Sequence, residues 1–159
     1  MSLADELVAA MSAWPEVEAI TLGGSRATGN DDKKSDYDVY VYVTTTVPAE
    51  RRRQLLNGYC DHMEIDNDFW ETEDDCTLND GVKIDILYRN LDRFSDNVAN
   101  VVERFQASNG YTTCMWNNLL TSKVPFDRNG RYEAVRQRFD VPFPEPLRQI
   151  GRASCRERV

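Results

Sequence analysis

The sequence predicts an α/β fold: a small mixed β-sheet of about four or five strands packed with helices. Segments rich in β-branched and aromatic residues alternate along the chain with amphipathic segments of helical period. Residues 37–43 (Tyr-Asp-Val-Tyr-Val-Tyr-Val) and 82–89 (Val-Lys-Ile-Asp-Ile-Leu-Tyr-Arg) are the clearest strands. An apolar stripe between residues 91 and 105 predicts the clearest helix.

The other elements follow from local patterns. Ser2-Leu3-Ala4-Asp5 resembles a capping box, so a first helix is expected to begin there and to end at Pro15. Glu71 to Asp75 is predicted to be a flexible acidic segment. The remaining predicted elements, in chain order, are strand 17–22, helix 49–60, strand 62–69, acidic loop 70–81, helix 112–122, strand 124–127 and helix 131–139.

Length and composition suit one globular domain, predicted over residues 1–140. With 159 residues, of which 41% are hydrophobic, the chain can form a substantial core. The proline-rich residues 141–149 are predicted to be a linker towards a missing C-terminal domain, expected to be helical. Residues 150–159 resemble the translation of a sequencing adapter, so we expect them to be foreign to the protein.

Charge and cysteine usage limit the classes of partner. The net charge is −8, and it becomes −10 without the three arginines and one glutamate of residues 150–159. Such an acidic body argues against a nucleic-acid partner. No apolar run approaches the roughly 20 residues of a membrane helix. The four cysteines form no CxxC motif and the chain has one histidine, which argues against a zinc site and favours reduced thiols in a cytoplasmic protein.

The most informative pattern is a Gly-Gly-Ser turn followed by paired aspartates. Gly24 and Ser25 come directly after the predicted strand 17–22, and ten residues separate Ser25 from Asp36. Asp36 and Asp38 open the next strand and therefore share one face. Two carboxylates so placed suit Mg²⁺. The backbone of a small-residue turn can bind phosphates, and the Arg26 guanidinium is expected to clamp a phosphate oxygen.

Leu22-Gly23-Gly24-Ser25 and Ser35-Asp36-Tyr37-Asp38-Val39 resemble the signature of the DNA polymerase beta-like nucleotidyltransferase superfamily. The resemblance covers residues 1 to about 130 and is strongest to small stand-alone bacterial members, both antibiotic-modifying and minimal. It implies a nucleotidyltransferase fold, with Gly24 and Ser25 on the triphosphate. Asp36 and Asp38 would bind two Mg²⁺ ions, and Asp85, on a later strand, would be the third carboxylate.

The resemblance implies transfer of a nucleoside monophosphate, expected to be AMP from ATP although another nucleoside triphosphate is possible. The acceptor would be a hydroxyl of a small molecule such as an aminoglycoside, and pyrophosphate would be released. Two alternatives stay open: an antitoxin-type enzyme that modifies a partner protein, and a non-catalytic nucleotide-binding regulatory module. The missing C-terminal domain also leaves open whether the truncated chain is active by itself.

Each residue also has a purely structural interpretation. Gly-Gly after a strand is often only a turn, and an Asp-x-Asp pair or Asp85 alone is often a solvated edge charge. Their conjunction on two strands favours the metal site. For Trp116 a core position is favoured over base stacking, and Tyr40 and Tyr42 share that ambiguity.

Overall fold

The computed structural model describes residues 3–23, 37–65, 72–103 and 113–141. The chain divides into two compact units. The first unit comprises Met1–Asn90 and Ser122–Arg131, and the second comprises Leu91–Thr121 and Tyr132–Val159. None of the helices within the described ranges is long and apolar enough to span a membrane.

The first unit contains all six described strands. Its elements, in chain order, are α1 (Leu3–Met11), β1 (Val17–Gly23), β2 (Tyr37–Val43), α2 (Ala49–Asn57), β3 (Cys60–Glu64), β4 (Thr72–Leu78), β5 (Lys83–Arg89) and β6 (Lys123–Asp127). They form one sheet in the order β3-β4-β5-β2-β1-β6. The pair β2–β5 is parallel and the others are antiparallel, so the predicted mixed α/β fold is confirmed.

The sheet has one strand more than the sequence indicated, because the predicted acidic loop 70–81 contains β4. Acidic residues have low strand propensity, which is why Thr72–Leu78 does not resemble a strand in isolation. The segment is a strand because β3 and β5 pair with its two edges. The prediction of a flexible segment up to Asp75 was therefore wrong for residues 72–75.

One face of the sheet packs on α1 and α2 to form the core of this unit. Alternate residues of β2 and β5 point into it, as expected of strands with one buried face. Their side chains join those of α1 and α2 in a single buried cluster. The members from α1, α2, β2 and β5 are Ala4, Leu7, Val8, Met11, Leu56, Val39, Val41, Val43, Ile84, Ile86 and Tyr88. The opposite face of these two strands, called the polar face below, carries Asp38, Tyr40, Tyr42, Lys83, Asp85, Leu87 and Arg89, of which Tyr42 and Arg89 are buried.

The described part of the second unit contains three helices: α3 (Leu91–Val102), α4 (Thr113–Thr121) and α5 (Arg131–Phe139), the last beginning at the boundary between the units. The buried Trp116 indole donates to the carbonyl oxygen of Phe139 at 2.7 Å, and the Tyr132 hydroxyl donates to that of Leu119 at 3.0 Å. These bonds join α4 to α5. Trp116 therefore has the core position that the sequence favoured.

Candidate functional site

A row of acidic residues crosses the polar face of the sheet. Asp38 on β2 is the Cα partner of Asp85 on β5, and Asp85 is the partner of Asp75 on β4. The row continues to Glu64 on β3 and, in the other direction, to Gly23 at the end of β1. Since directly paired residues lie on the same face, four carboxylates from four neighbouring strands line one side of the sheet.

Asp38 and Asp85 are brought together by the parallel pairing of β2 with β5. Both strands are rich in β-branched and aromatic residues whose apolar members enter the core, so their register is strongly determined. The odd-even alternation then leaves the two aspartates on the polar face, where both are half-buried. The structure thus places the third predicted carboxylate, Asp85, directly beside one member of the predicted pair.

The carboxylates nearest to Asp85 on its other side are two that the sequence analysis did not select. Oxygen atoms of Glu73, Asp75 and Asp85 all lie within 4.8 Å of one another. Glu73 and Asp75 were missed because their segment was interpreted as a loop. The available signal was the alternation of Cys76 and Leu78 with Asp75 and Thr77, which has the period of a strand but covers only half of the segment.

Burial and the neighbouring carboxylates raise the pKa of Asp85 to about 7, compared with 3.8 for an ordinary aspartate. Burial is the largest cause, followed by the hydrogen bond and negative charge of Asp75 and then by the charges of Asp38 and Glu73. Each of these effects disfavours the ionised carboxylate. A cation among these side chains would therefore relieve both repulsion and desolvation.

The donor set fits a hard divalent cation. Half-buried carboxylate oxygens are the ligands that Mg²⁺, Mn²⁺ and Ca²⁺ prefer, whereas zinc and copper sites draw on histidine and cysteine. Asp38, Asp85, Asp75 and Glu73 supply only such oxygens. These residues could therefore hold Mg²⁺, with Asp38 and Asp85 belonging to the predicted metal set.

Four of the predicted site residues, Gly24, Ser25, Arg26 and Asp36, lie outside the described residues. The described residues on either side of them are Gly23 and Tyr37, and Gly23 is the Cα partner of Asp38. Gly23 therefore lies at one end of the carboxylate row.

The aromatic residues of β2 have different environments. Tyr42 is fully buried, which agrees with a core role. Tyr40 is half-buried, and the guanidinium carbon of the buried Arg89 lies 4.3 Å from the centre of its ring. Such stacking of a cation on a ring stabilises both side chains. Tyr40 therefore belongs to a cation–π pair on the same face as the carboxylate row.

Comparisons with known proteins identify the family. No curated protein matches the sequence significantly. Among solved structures, the chain is similar to an aminoglycoside 6-adenyltransferase from Bacillus subtilis, with 18% identity and a TM-score of 0.45. That alignment covers 62% of this chain and 37% of the other, so the chain spans well under half of its length.

The family model described as polymerase beta nucleotidyltransferase matches residues 5–91. This range is more than half of the chain and includes most of α1, all of α2 and β1 to β5, and every carboxylate of the row. The chain therefore belongs to the polymerase beta nucleotidyltransferase family.

Proposed function

We propose that the chain is the nucleotide-binding and catalytic part of a Mg²⁺-dependent nucleotidyltransferase that transfers AMP from ATP to a hydroxyl group. The observation that carries the proposal is the pairing of Asp38 with Asp85 on adjacent strands, inside the segment that matches the family. Family membership supports nucleotidyl transfer in general. The choice of Mg²⁺, of ATP and of the acceptor belongs to the proposal.

Asp36, Asp38 and Asp85 would hold two Mg²⁺ ions, with Asp75 and Glu73 close enough to contribute further oxygen ligands. Bound there, the ions would supply stabilisation of the charge on the attacking and leaving oxygens. Gly24 and Ser25 would bind the triphosphate through backbone N–H groups and a hydroxyl, and Arg26 would clamp a phosphate oxygen. The position of Gly23 beside Asp38 supports this arrangement, because the phosphate-binding segment then begins next to the carboxylates.

The proposed reaction is an in-line displacement at the α-phosphorus. The acceptor oxygen forms a bond to phosphorus while the bond to the oxygen bridging the α- and β-phosphates breaks, and pyrophosphate leaves with the electron pair. The acceptor proton passes to a base. Asp85 is the candidate base, since the carboxylate at the ion beside the acceptor hydroxyl is placed to accept its proton.

The acceptor that we propose is a small molecule with accessible hydroxyl groups, such as an aminoglycoside. It rests on the resemblance of the Gly-Gly-Ser and Asp-x-Asp segments to those of small bacterial enzymes. The two alternatives use the same nucleotide site. In the first a partner protein receives the nucleotide, and in the second the nucleotide is bound for regulation without transfer.

The test is an incubation of the chain with ATP labelled at the α-phosphate and Mg²⁺. One arm adds a panel of aminoglycosides and the other adds proteins encoded beside its gene. Label on an aminoglycoside, with matching pyrophosphate release, supports the proposal. Label on a neighbouring protein supports the protein-modifying alternative, and ATP binding without label in any acceptor supports the regulatory one. The Asp38→Asn variant is the matched control for metal-dependent transfer.

A further inference from the structure

Three consecutive acidic residues occupy the middle of β4 and divide between the two faces of the sheet. Glu73 and Asp75 lie on the face of Asp85, and their oxygens approach its carboxylate. Asp74 points the other way, into the core, where it is 0% exposed and paired in register with Ile86. Asp74 and Asp75 are thus on opposite faces of the sheet, one in the core and one beside Asp85, because they are adjacent in the strand.

The buried carboxylate of Asp74 is neutralised by a buried arginine. Arg52 on α2 is 2% exposed, and its Nη1 lies 2.6 Å from Oδ1 of Asp74. Its Nε donates to the carbonyl oxygen of Val47 at 3.1 Å, and its guanidinium carbon lies 5.0 Å from the centre of the Tyr88 ring on β5. Contacts to the segment before α2, to β4 and to β5 therefore hold the guanidinium in one place.

The apolar pattern of β4 is too weak to fix its register alone. The apolar side chains on its buried face are those of Cys76 and Leu78, both in the second half of the strand. A slip by one residue would send Glu73 and Asp75 into the core and bring Asp74 to the polar face. In the first half of the strand the two registers therefore differ in which acids enter the core, and Arg52 is placed to receive Asp74 there.

We propose that Arg52 is a positioning residue: by pairing with Asp74 in the core, it fixes the register of β4 and so holds Asp75 and Glu73 beside Asp85. Fixing a register is the best-attested use of a buried polar group. The inference rests on the proposed function, because it assigns the β4 carboxylates to the metal site of that reaction.

The test separates register from stability by removing both charges together. In the Arg52→Met/Asp74→Leu variant the net charge is unchanged and no charge is left alone in the core, so the fold is expected to be as stable as the wild type or more so. Mn²⁺ affinity, measured by electron paramagnetic resonance, should nevertheless fall about 10–100-fold, as is typical when residues that orient metal ligands are lost. Cross-strand nuclear Overhauser contacts between Asp75 and Asp85 should weaken or shift.

The matched control is Glu16→Gln/Arg51→Met. It removes the ion pair between Glu16 and Arg51, the residue that precedes Arg52 on α2. Arg51 makes two hydrogen bonds to Glu16, at 2.5 and 2.8 Å, but this pair does not involve β4. Mn²⁺ affinity and the β4–β5 contacts should be unchanged in this control. A loss there equal to that of the Arg52→Met/Asp74→Leu variant would overturn the assignment.

Unchanged Mn²⁺ affinity in the folded Arg52→Met/Asp74→Leu variant would overturn the inference, as would a loss of affinity with intact β4–β5 contacts. If that variant does not fold, Asp74→Asn replaces it, and unchanged affinity would again overturn the inference. Asp85→Asn is measured in parallel. If it binds Mn²⁺ as the wild type does, the proposed function fails. If only Asp85→Asn loses affinity, the proposed function stands and the positioning role does not.

Discussion

Asp74 and Asp85 lie on neighbouring strands of one sheet but on its opposite faces, and the charged groups around them differ. Asp74 is completely buried and forms an ion pair with Arg52. Asp85 is half-buried, and the groups that shift its pKa most, after burial, are the carboxylates Asp75, Asp38 and Glu73. Within the fold, a structural carboxylate has its counter-charge in the chain. The carboxylate of the candidate site is surrounded by charges of its own sign, as expected of a site whose counter-charge is a ligand.

The largest expected effect is a loss of stability when Arg52, in the core, is replaced. Arg52→Met leaves the Asp74 carboxylate buried without its counter-ion, which should lower the free energy of unfolding by about 3–5 kcal/mol. Urea unfolding measures this change. The Arg52→Met/Asp74→Leu variant should recover most of the loss. Equal destabilisation of the single and double variants would show that packing, not charge, dominates at this position.

The next largest effect is a loss of nucleotidyl transfer when Asp38, on the polar face, is replaced. Asp38→Asn removes a charge from the row with almost no change of shape, so transfer of labelled AMP should fall by about 10²–10³-fold, in the range for loss of one group that stabilises transition-state charge. The circular dichroism spectrum and the unfolding midpoint should stay close to those of the wild type. Wild-type transfer rates in Asp38→Asn would remove this residue from the site.

Replacing Asp85 is expected to have a smaller effect on stability, opposite in sign to that of Arg52→Met. Because the pKa of Asp85 is raised to about 7 in the folded chain, the folded state retains this proton between about pH 4 and 7 while the unfolded state loses it. The metal-free wild type therefore loses stability from this group as the pH rises through that window. At pH 8 with chelator, Asp85→Asn should be more stable by about 1–2 kcal/mol, after allowance for solvent screening.

Urea unfolding of the wild type and Asp85→Asn at pH 4 and pH 8 measures this difference, which should be small at pH 4 and full at pH 8. Added Mg²⁺ should raise the stability of the wild type at pH 8 and leave Asp85→Asn nearly unchanged. If Asp85→Asn is less stable than the wild type in chelator at pH 8, the Asp85 carboxylate is not destabilised by its neighbours in the metal-free fold.

The smallest change in stability is expected at the ion pair between Arg51 on α2 and Glu16. The Arg51 side chain is 38% exposed and that of Glu16 is 16% exposed, so solvent screens this pair more than it screens the buried pair of Arg52 with Asp74. Arg51→Met should therefore leave the midpoint of urea unfolding almost unchanged, although Arg51 and Arg52 are adjacent. A loss as large as that of Arg52→Met would indicate that α2 itself, not the buried charge, is the sensitive feature.

The sequence predicted the parts of the site that lie on strands with strong patterns. β2 and β5 are rich in β-branched and aromatic residues, so the positions of Asp38 and Asp85 within strands could be predicted, and the family signature indicated that they meet. β4 could not be predicted, because Glu73, Asp74 and Asp75 have low strand propensity and the strand depends on pairing with β3 and β5.

Arg52 was equally hidden in the sequence. It is the middle of three consecutive arginines in α2, a composition typical of a solvated helix face. Only the fold shows that one of the three is buried against Asp74. Asp36 and the Gly-Gly-Ser segment, by contrast, remain predictions from the sequence, since residues 24–36 lie outside the part of the chain that the structure describes.

We propose that the counter-charge of Asp38 and Asp85 is a bound divalent cation. A Mn²⁺ titration at pH 8 of the wild type, Asp38→Asn and Asp85→Asn, followed by electron paramagnetic resonance, tests this proposal. The wild type should bind Mn²⁺ saturably and each variant at least about tenfold more weakly, because carboxylates are the ligands of such cations. Equal Mn²⁺ affinity in the wild type and both variants would contradict it.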